Sequence, residues 1–131
     1  MNPYIVVLNT YMKALGDSDY VTIKSLFAPD GHVTSPFLGD MEASAFFDRL
    51  GEASSLNVIT PIDIFVSTTE QNHATAYFQY DWTVRDGTLI SFKVMDLFTF
   101  DPASNKVKHL DLIYDTHPIR ETAGNKYEGL D

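Results

Sequence analysis

The chain predicts an α+β fold, three N-terminal helices segregated onto one face of an antiparallel sheet. Apolar residues recur at helical spacing in the first third, as at Tyr4, Leu8, Tyr11 and Leu15. From Val58 onward β-branched residues take over and apolar positions alternate with polar ones, broken by turn residues at regular intervals. The 131 residues, 44% of them hydrophobic, suffice for one well-cored domain and argue against disorder.

Pro3–Leu15 reads as the first helix, with Pro3 suited to a first turn and Gly16 to a stop. A second, capped by Asp17 or Ser18, places Tyr20, Ile23, Leu26 and Phe27 on one face. The run Ala28-Pro29-Asp30-Gly31 then makes a turn. His32–Phe37 reads as a short strand ended near Pro36. Asp40 is placed to cap a third helix, Met41–Leu50, with Phe46, Phe47 and Leu50 inward. Four long strands follow in a meander. The first starts near Asn57, and Pro61 inside it marks an edge position or a bulge. Ala74–Val84, Thr88–Phe100 and Lys106–Asp115 complete the sheet. The domain is expected to span residues 1–118, leaving 119–131 as a polar tail. Glu121–Asp131 reads as mobile, with Tyr127 and Leu130 as its only docking side chains.

The turn Arg85-Asp86-Gly87 sets the register of the central hairpin. A two-residue Asp-Gly loop would pair Phe92 with Asp81 and mix the faces. A three-residue loop ending in Gly87 pairs Phe78 with Val94, Tyr80 with Phe92 and Ala76 with Asp96. The second register keeps apolar residues together, and it puts Asp96 in their midst.

Asp96 is therefore the position to explain. It shares a strand face with Phe92, Val94, Phe98 and Phe100. An ionised carboxylate there is costly unless paired, so either its pKa rises or hydrogen bonds hold it. It is a structural acid or the working part of a site.

Composition narrows the partners. Eighteen acidic residues against nine basic ones give a net charge of −9, which disfavours nucleic acid and anionic membranes. No apolar run approaches a membrane span, and the first ten residues lack the pattern of a signal peptide. With no cysteine, disulfides and thiolate metal sites are excluded, and a cytoplasmic location is expected. No cofactor is expected.

Two stretches, Tyr11–Pro36 (YMKALGDSDYVTIKSLFAPDGHVTSP) and Lys93–Phe100 (KVMDLFTF) followed by KVKHLDLIYD, carry a resemblance. The chain resembles the nuclear-transport-factor-2-like superfamily, which includes SnoaL-type polyketide cyclases and ketosteroid isomerase. The resemblance implies a cone in which a curved antiparallel or mixed sheet wraps around the three N-terminal helices, with an interior pocket for a small apolar ligand and a homodimer through the outer sheet face. Carried over from ketosteroid isomerase, it implies that Tyr11 and Asp96 are an oxyanion hole, with Asp96 a neutral donor. It also places Ser35 where that enzyme has its carboxylate base, and Phe47 where it has a supporting tyrosine. Its pocket-facing positions correspond to Phe47, Phe78, Tyr80, Trp82, Phe92, Val94, Phe98, Leu110, Leu112 and Tyr114.

A serine cannot take a carbon-bound proton at neutral pH without activation, so the base is open. Asp63 and Asp81 are the other carboxylates considered, with Asp81 on the outer face in the favoured register. His32 points away from Ser35 by strand alternation. His109, Asp111, Asp115 and His117 recur at even spacing and could bind a metal on one face. That face is the outer one, because Leu110, Leu112 and Tyr114 take the inner, and no metal site is expected. Two functions remain: an isomerase, cyclase or dehydratase acting on a small carbonyl or polycyclic compound, or a non-catalytic binding or dimerisation module that has lost its base.

Overall fold

The computed structural model describes residues 2–69 and 71–122. Helix α1 (Pro3–Gly16) opens on Asn2, whose side chain accepts a hydrogen bond from the Tyr4 N–H. It buries Leu8, Tyr11, Met12, Ala14 and Leu15, one stripe of a helical surface. Leu8 and Leu15 are sealed from solvent, and each such burial contributes about 1.5–3 kcal/mol.

Helix α2 (Tyr20–Ser25) is capped by Asp19, not by Asp17 or Ser18. Asp17 ends α1 and pairs with Lys13, while Ser18 adopts φ +55 to turn the chain, so the cap falls one residue later. Phe27 leaves the helix and opens β1 (Phe27–Ser35), making the expected Ala28–Gly31 turn an irregularity inside a strand. The pairing shifts register between Phe27 and His32 there. Strand β2 (Gly39–Glu42) forms a hairpin with β1. This corrects the reading of Asp40 as a helix cap. Its carboxylate bonds His32 and Thr34, and α3 (Ala43–Ala53) begins after Glu42 without a side-chain cap.

The meander follows as expected: β3 (Ser54–Val66), β4 (His73–Val84), β5 (Leu89–Phe100) and β6 (Val107–Tyr114). Among the described residues the sheet has six strands in the order β2-β1-β6-β5-β4-β3, and only the β1–β6 pairing is parallel. It is therefore the mixed, curved sheet of an α+β fold. Strand β3 is an edge, and its register shifts between Pro61 and Asp63, which is where proline removes a ladder donor. The β4–β5 hairpin has the three-residue loop, with Gly87 at φ +91, a conformation that favours glycine. Ala76 pairs with Asp96, Phe78 with Val94 and Tyr80 with Phe92.

A fourth helix, α4 (His117–Thr122), crosses the expected domain end at residue 118. Ile119 is 6% exposed and belongs to the core, so the chain stays docked past Pro118. Tyr127 and Leu130 lie outside the described residues. Among the described residues, no helix is long and apolar enough to cross a membrane.

Candidate functional site

Helices α1, α3 and α4, the β1–β2 turn and the inner faces of β4, β5 and β6 enclose a cavity of about 240 Å³. Its walls are mostly apolar, which follows from the alternation that turns every second residue of β4–β6 inward. Phe78, Tyr80 and Trp82 come from β4, Phe92, Val94 and Asp96 from β5, and Leu112 and Tyr114 from β6.

Asp96 is 1% exposed. Its Oδ2 accepts a 2.9 Å hydrogen bond from the Tyr11 hydroxyl, and its Oδ1 is buried with no partner among the described residues. Burial pushes the carboxyl up to about 7, with the nearby Asp111 charge raising it further and the Tyr11 bond opposing both. Burial, then the Asp96 carboxyl, push the Tyr11 phenol well above its ordinary value, so it stays protonated and donating. The dyad thus keeps one carboxyl oxygen occupied and leaves the other unpartnered, on a residue that lines the cavity.

The remaining polar atoms of the β4 wall are already committed. The Tyr80 hydroxyl donates to Asn57 Oδ1 at 2.6 Å, and Asn57 Nδ2 donates to the Tyr20 hydroxyl at 2.8 Å. Trp82 Nε1 donates to Ser54 Oγ at 2.7 Å, whose own hydroxyl donates to the Leu50 carbonyl. Asn57 is 2% exposed, and nothing in its sequence neighbourhood marked it, because its partners lie 23 and 37 residues away.

Ser35 reaches the cavity, but its Oγ accepts the N–H groups of Phe37 and Leu38 at 3.2 and 3.3 Å. It shapes the turn that carries those two residues on the cavity rim. His32 is on the opposite sheet face with Asp40, so no Ser–His pair forms. Asp63 is exposed on the edge strand and bonds the following N–H, which removes it as a base for this cavity. Asp81 faces Gln79 on the outer side.

Three expected wall residues are not in the wall. Phe47 and Phe98 are fully buried behind Tyr11, with ring centroids 6.3 and 4.9 Å from it in edge-on contacts. Leu110 is sealed in the core beneath them. They hold the dyad and do not line the cavity. Phe46 and Leu50, expected inward on the same helix face as Phe47, do line it. Arg49, unmarked in the sequence, stands exposed at the rim and is in no ion pair among the described residues. Its place as the single cation of α3, three residues after the inward Phe46, offered the only signal.

Of the alternating set on the last strand, His109, Asp111 and Ile113 face outward, while Asp115 and His117 lie past its end at Tyr114. Burial and the neighbouring His32 lower the His109 pKa.

No family model matches the chain, and no curated protein matches it in sequence. Solved structures do. A nuclear-transport-factor-2-like protein of unknown function from Burkholderia pseudomallei aligns with TM-score 0.76 at 15% identity, over 92% of this chain and 97% of that one. A protein of ketosteroid-isomerase-like fold from Catenulispora acidiphila, in complex with trimethylamine, aligns with TM-score 0.76 at 14% identity, over 93% and 95%. TerC, co-crystallised with polyporic acid, aligns with TM-score 0.76 at 17% identity, over 92% and 97%. At these identities the likeness concerns the backbone and not the chemistry. The chain has the nuclear-transport-factor-2-like, ketosteroid-isomerase-like fold.

Proposed function

We propose that the cavity binds a small, largely apolar compound carrying a carbonyl or enol oxygen, and that Asp96 transfers a proton to or from it. The observation that carries this reading is the unpartnered Oδ1 of a buried carboxyl with a pKa of about 7. At neutral pH such a group is present in both forms, so it can donate to a developing oxyanion or accept a proton. Tyr11 holds Oδ2 and thereby aims Oδ1, which makes it a positioning residue and not the second oxyanion donor expected from the sequence. The volume of about 240 Å³ lies below the roughly 300–1,000 Å³ of drug-sized sites, which favours a compact ligand over a polycyclic one. Arg49 at the rim gives an acidic or electron-rich outer end of that ligand a cation to meet. The reaction class is isomerase, cyclase or dehydratase, and the absence of cysteine fits a cytoplasmic setting.

Deuterium uptake by 2-tetralone, an enolisable apolar ketone, tests this. Wild type should accelerate exchange, and Asp96→Asn should lose about a hundredfold of that acceleration. Equal rates for the two proteins would sink the catalytic reading.

A second reading is a binding module without chemistry. It is favoured by Asp96 being the only carboxylate among the described residues lining the cavity, with Ser35 occupied by the turn. It requires ligand-dependent stabilisation and no turnover. A homodimer fits either reading. Met95 and Ile113 pair on the outer sheet face, 37% and 49% exposed, and a second copy would cover them. Sedimentation at micromolar concentration should show a dimer, and a single monomer boundary would remove this part.

A further inference from the structure

We propose that His32, Asp40 and His109 form a binding site for a divalent cation of the zinc class on the outer face of the sheet. The three residues come from β1, β2 and β6, and the sheet order β2-β1-β6 sets those strands side by side. His32 is directly opposite His109 in the parallel β1–β6 pairing, and Asp40 is opposite Thr34, two residues further along β1. Strand alternation turns all of these side chains to the face away from the cavity. The two imidazoles stack with centroids 4.4 Å apart and 19° between planes. One nitrogen from each ring and one Asp40 oxygen all lie within 4.8 Å of one another.

Two imidazoles and a carboxylate are a donor set that suits zinc, with a fourth position left for water. Bonds of about 2.0–2.2 Å to a tetrahedral ion separate its ligands by roughly 3.3–3.5 Å. The present separations bracket that value: His32 Nδ1 is 2.5 Å from Asp40 Oδ1, and no pair exceeds 4.8 Å. The side chains of His32 and Asp40 are 44% and 61% exposed, so both can adjust without disturbing the core. Without an ion, Thr34 Oγ1 bridges the group, at 3.2 Å from Asp40 Oδ1 and 2.8 Å from His109 Nε2. The hydroxyl can donate to Asp40 while it accepts from His109 Nε2–H, so an ion would take over a group of side chains already held together.

An ion here would join β2 to β6 across β1, two strands that share no backbone hydrogen bonds. The β1–β2 turn carries Phe37 and Leu38 on the cavity rim, so such a cross-link would also stiffen the mouth. The site lies on the opposite face from Asp96 and does not depend on the proposed function.

Calorimetric titration of the full chain with zinc chloride, after chelator treatment, tests it. We expect about one zinc per chain and a rise in melting temperature. His32→Ala, His109→Ala and Asp40→Asn should each weaken binding at least about tenfold. His117, which pairs with Glu121 at 2.9 Å, is the competing ligand pair, so His117→Ala should leave binding unchanged. No saturable zinc binding, or binding lost on His117→Ala and kept on His109→Ala, would overturn the proposal.

Discussion

Tyr80 and Asp96 stand on neighbouring strands of one sheet, both buried and both facing the same cavity, yet their hydrogen bonding ends differently. From Tyr80 the chain of bonds runs through Asn57 to Tyr20, two phenols joined by one amide. From Asp96 it runs to Tyr11 and stops, with Oδ1 left over. A closed network under a sheet rigidifies and specifies the fold, whereas an open one costs stability until something fills it. The β4 side closes its hydrogen bonds within the wall, and the β5 side ends on an unpartnered acceptor.

The largest effect that could break this contrast is the pH dependence of stability. Asp96 has a native pKa of about 7, above the unfolded value near 3.9. Between those values the native state holds a proton that the unfolded state has lost. Stability therefore falls as pH rises from about 4 to about 7, then levels off. The penalty at alkaline pH is on the order of 4 kcal/mol. Asp96→Asn removes the titration, so it should flatten this slope and be more stable than wild type at about pH 8. Urea unfolding at several pH values measures it. An unchanged slope in the variant would mean that Asp96 is not a destabilised acid.

Asn57→Ala should have the next largest effect. It strips the Tyr80 and Tyr20 hydroxyls of a shared partner in a buried setting, a loss of about 2–4 kcal/mol. Because no ionised group takes part, the loss should be the same at about pH 5 and about pH 8. A loss that varies with pH would show the two networks to be coupled, and the division between wall and site would fail.

How much of this was legible in the sequence differs between the two networks. Asp96 announced itself, because one acid among Phe92, Val94, Phe98 and Phe100 breaks a two-residue alternation. Local periodicity also sufficed for α1, for the meander and for the Gly87 register, since each depends on neighbours a few residues apart. Asn57 gave no such sign: an amide in a strand is common, and its worth comes from Tyr80 and Tyr20. The β2 hairpin was hidden for a related reason. Gly39–Glu42 has four residues and no alternation, and its strand character comes from pairing with β1. The His32–His109 contact depends on a parallel pairing across 77 residues, which no local pattern records.

The smallest effect is the most specific to the dyad. Tyr11→Phe keeps the ring against Phe98 and Phe47 and removes only the hydroxyl, a net loss of about 1 kcal/mol. Its clearer signature is in titration. The Tyr11 bond holds the Asp96 pKa down against burial, so without it the pKa should climb. The window in which stability falls would then extend to higher pH, and the carboxyl would stay neutral and donating through neutrality. Carbon NMR of the Asp96 carboxyl reads this directly. A pKa that falls or stays put in Tyr11→Phe would mean that the phenol does not favour the ionised carboxylate, and Oδ2 would no longer count as occupied. If instead the pKa rises while deuterium exchange into 2-tetralone moves its pH optimum upward in step, the titrating group and the proton-transferring group are the same carboxyl.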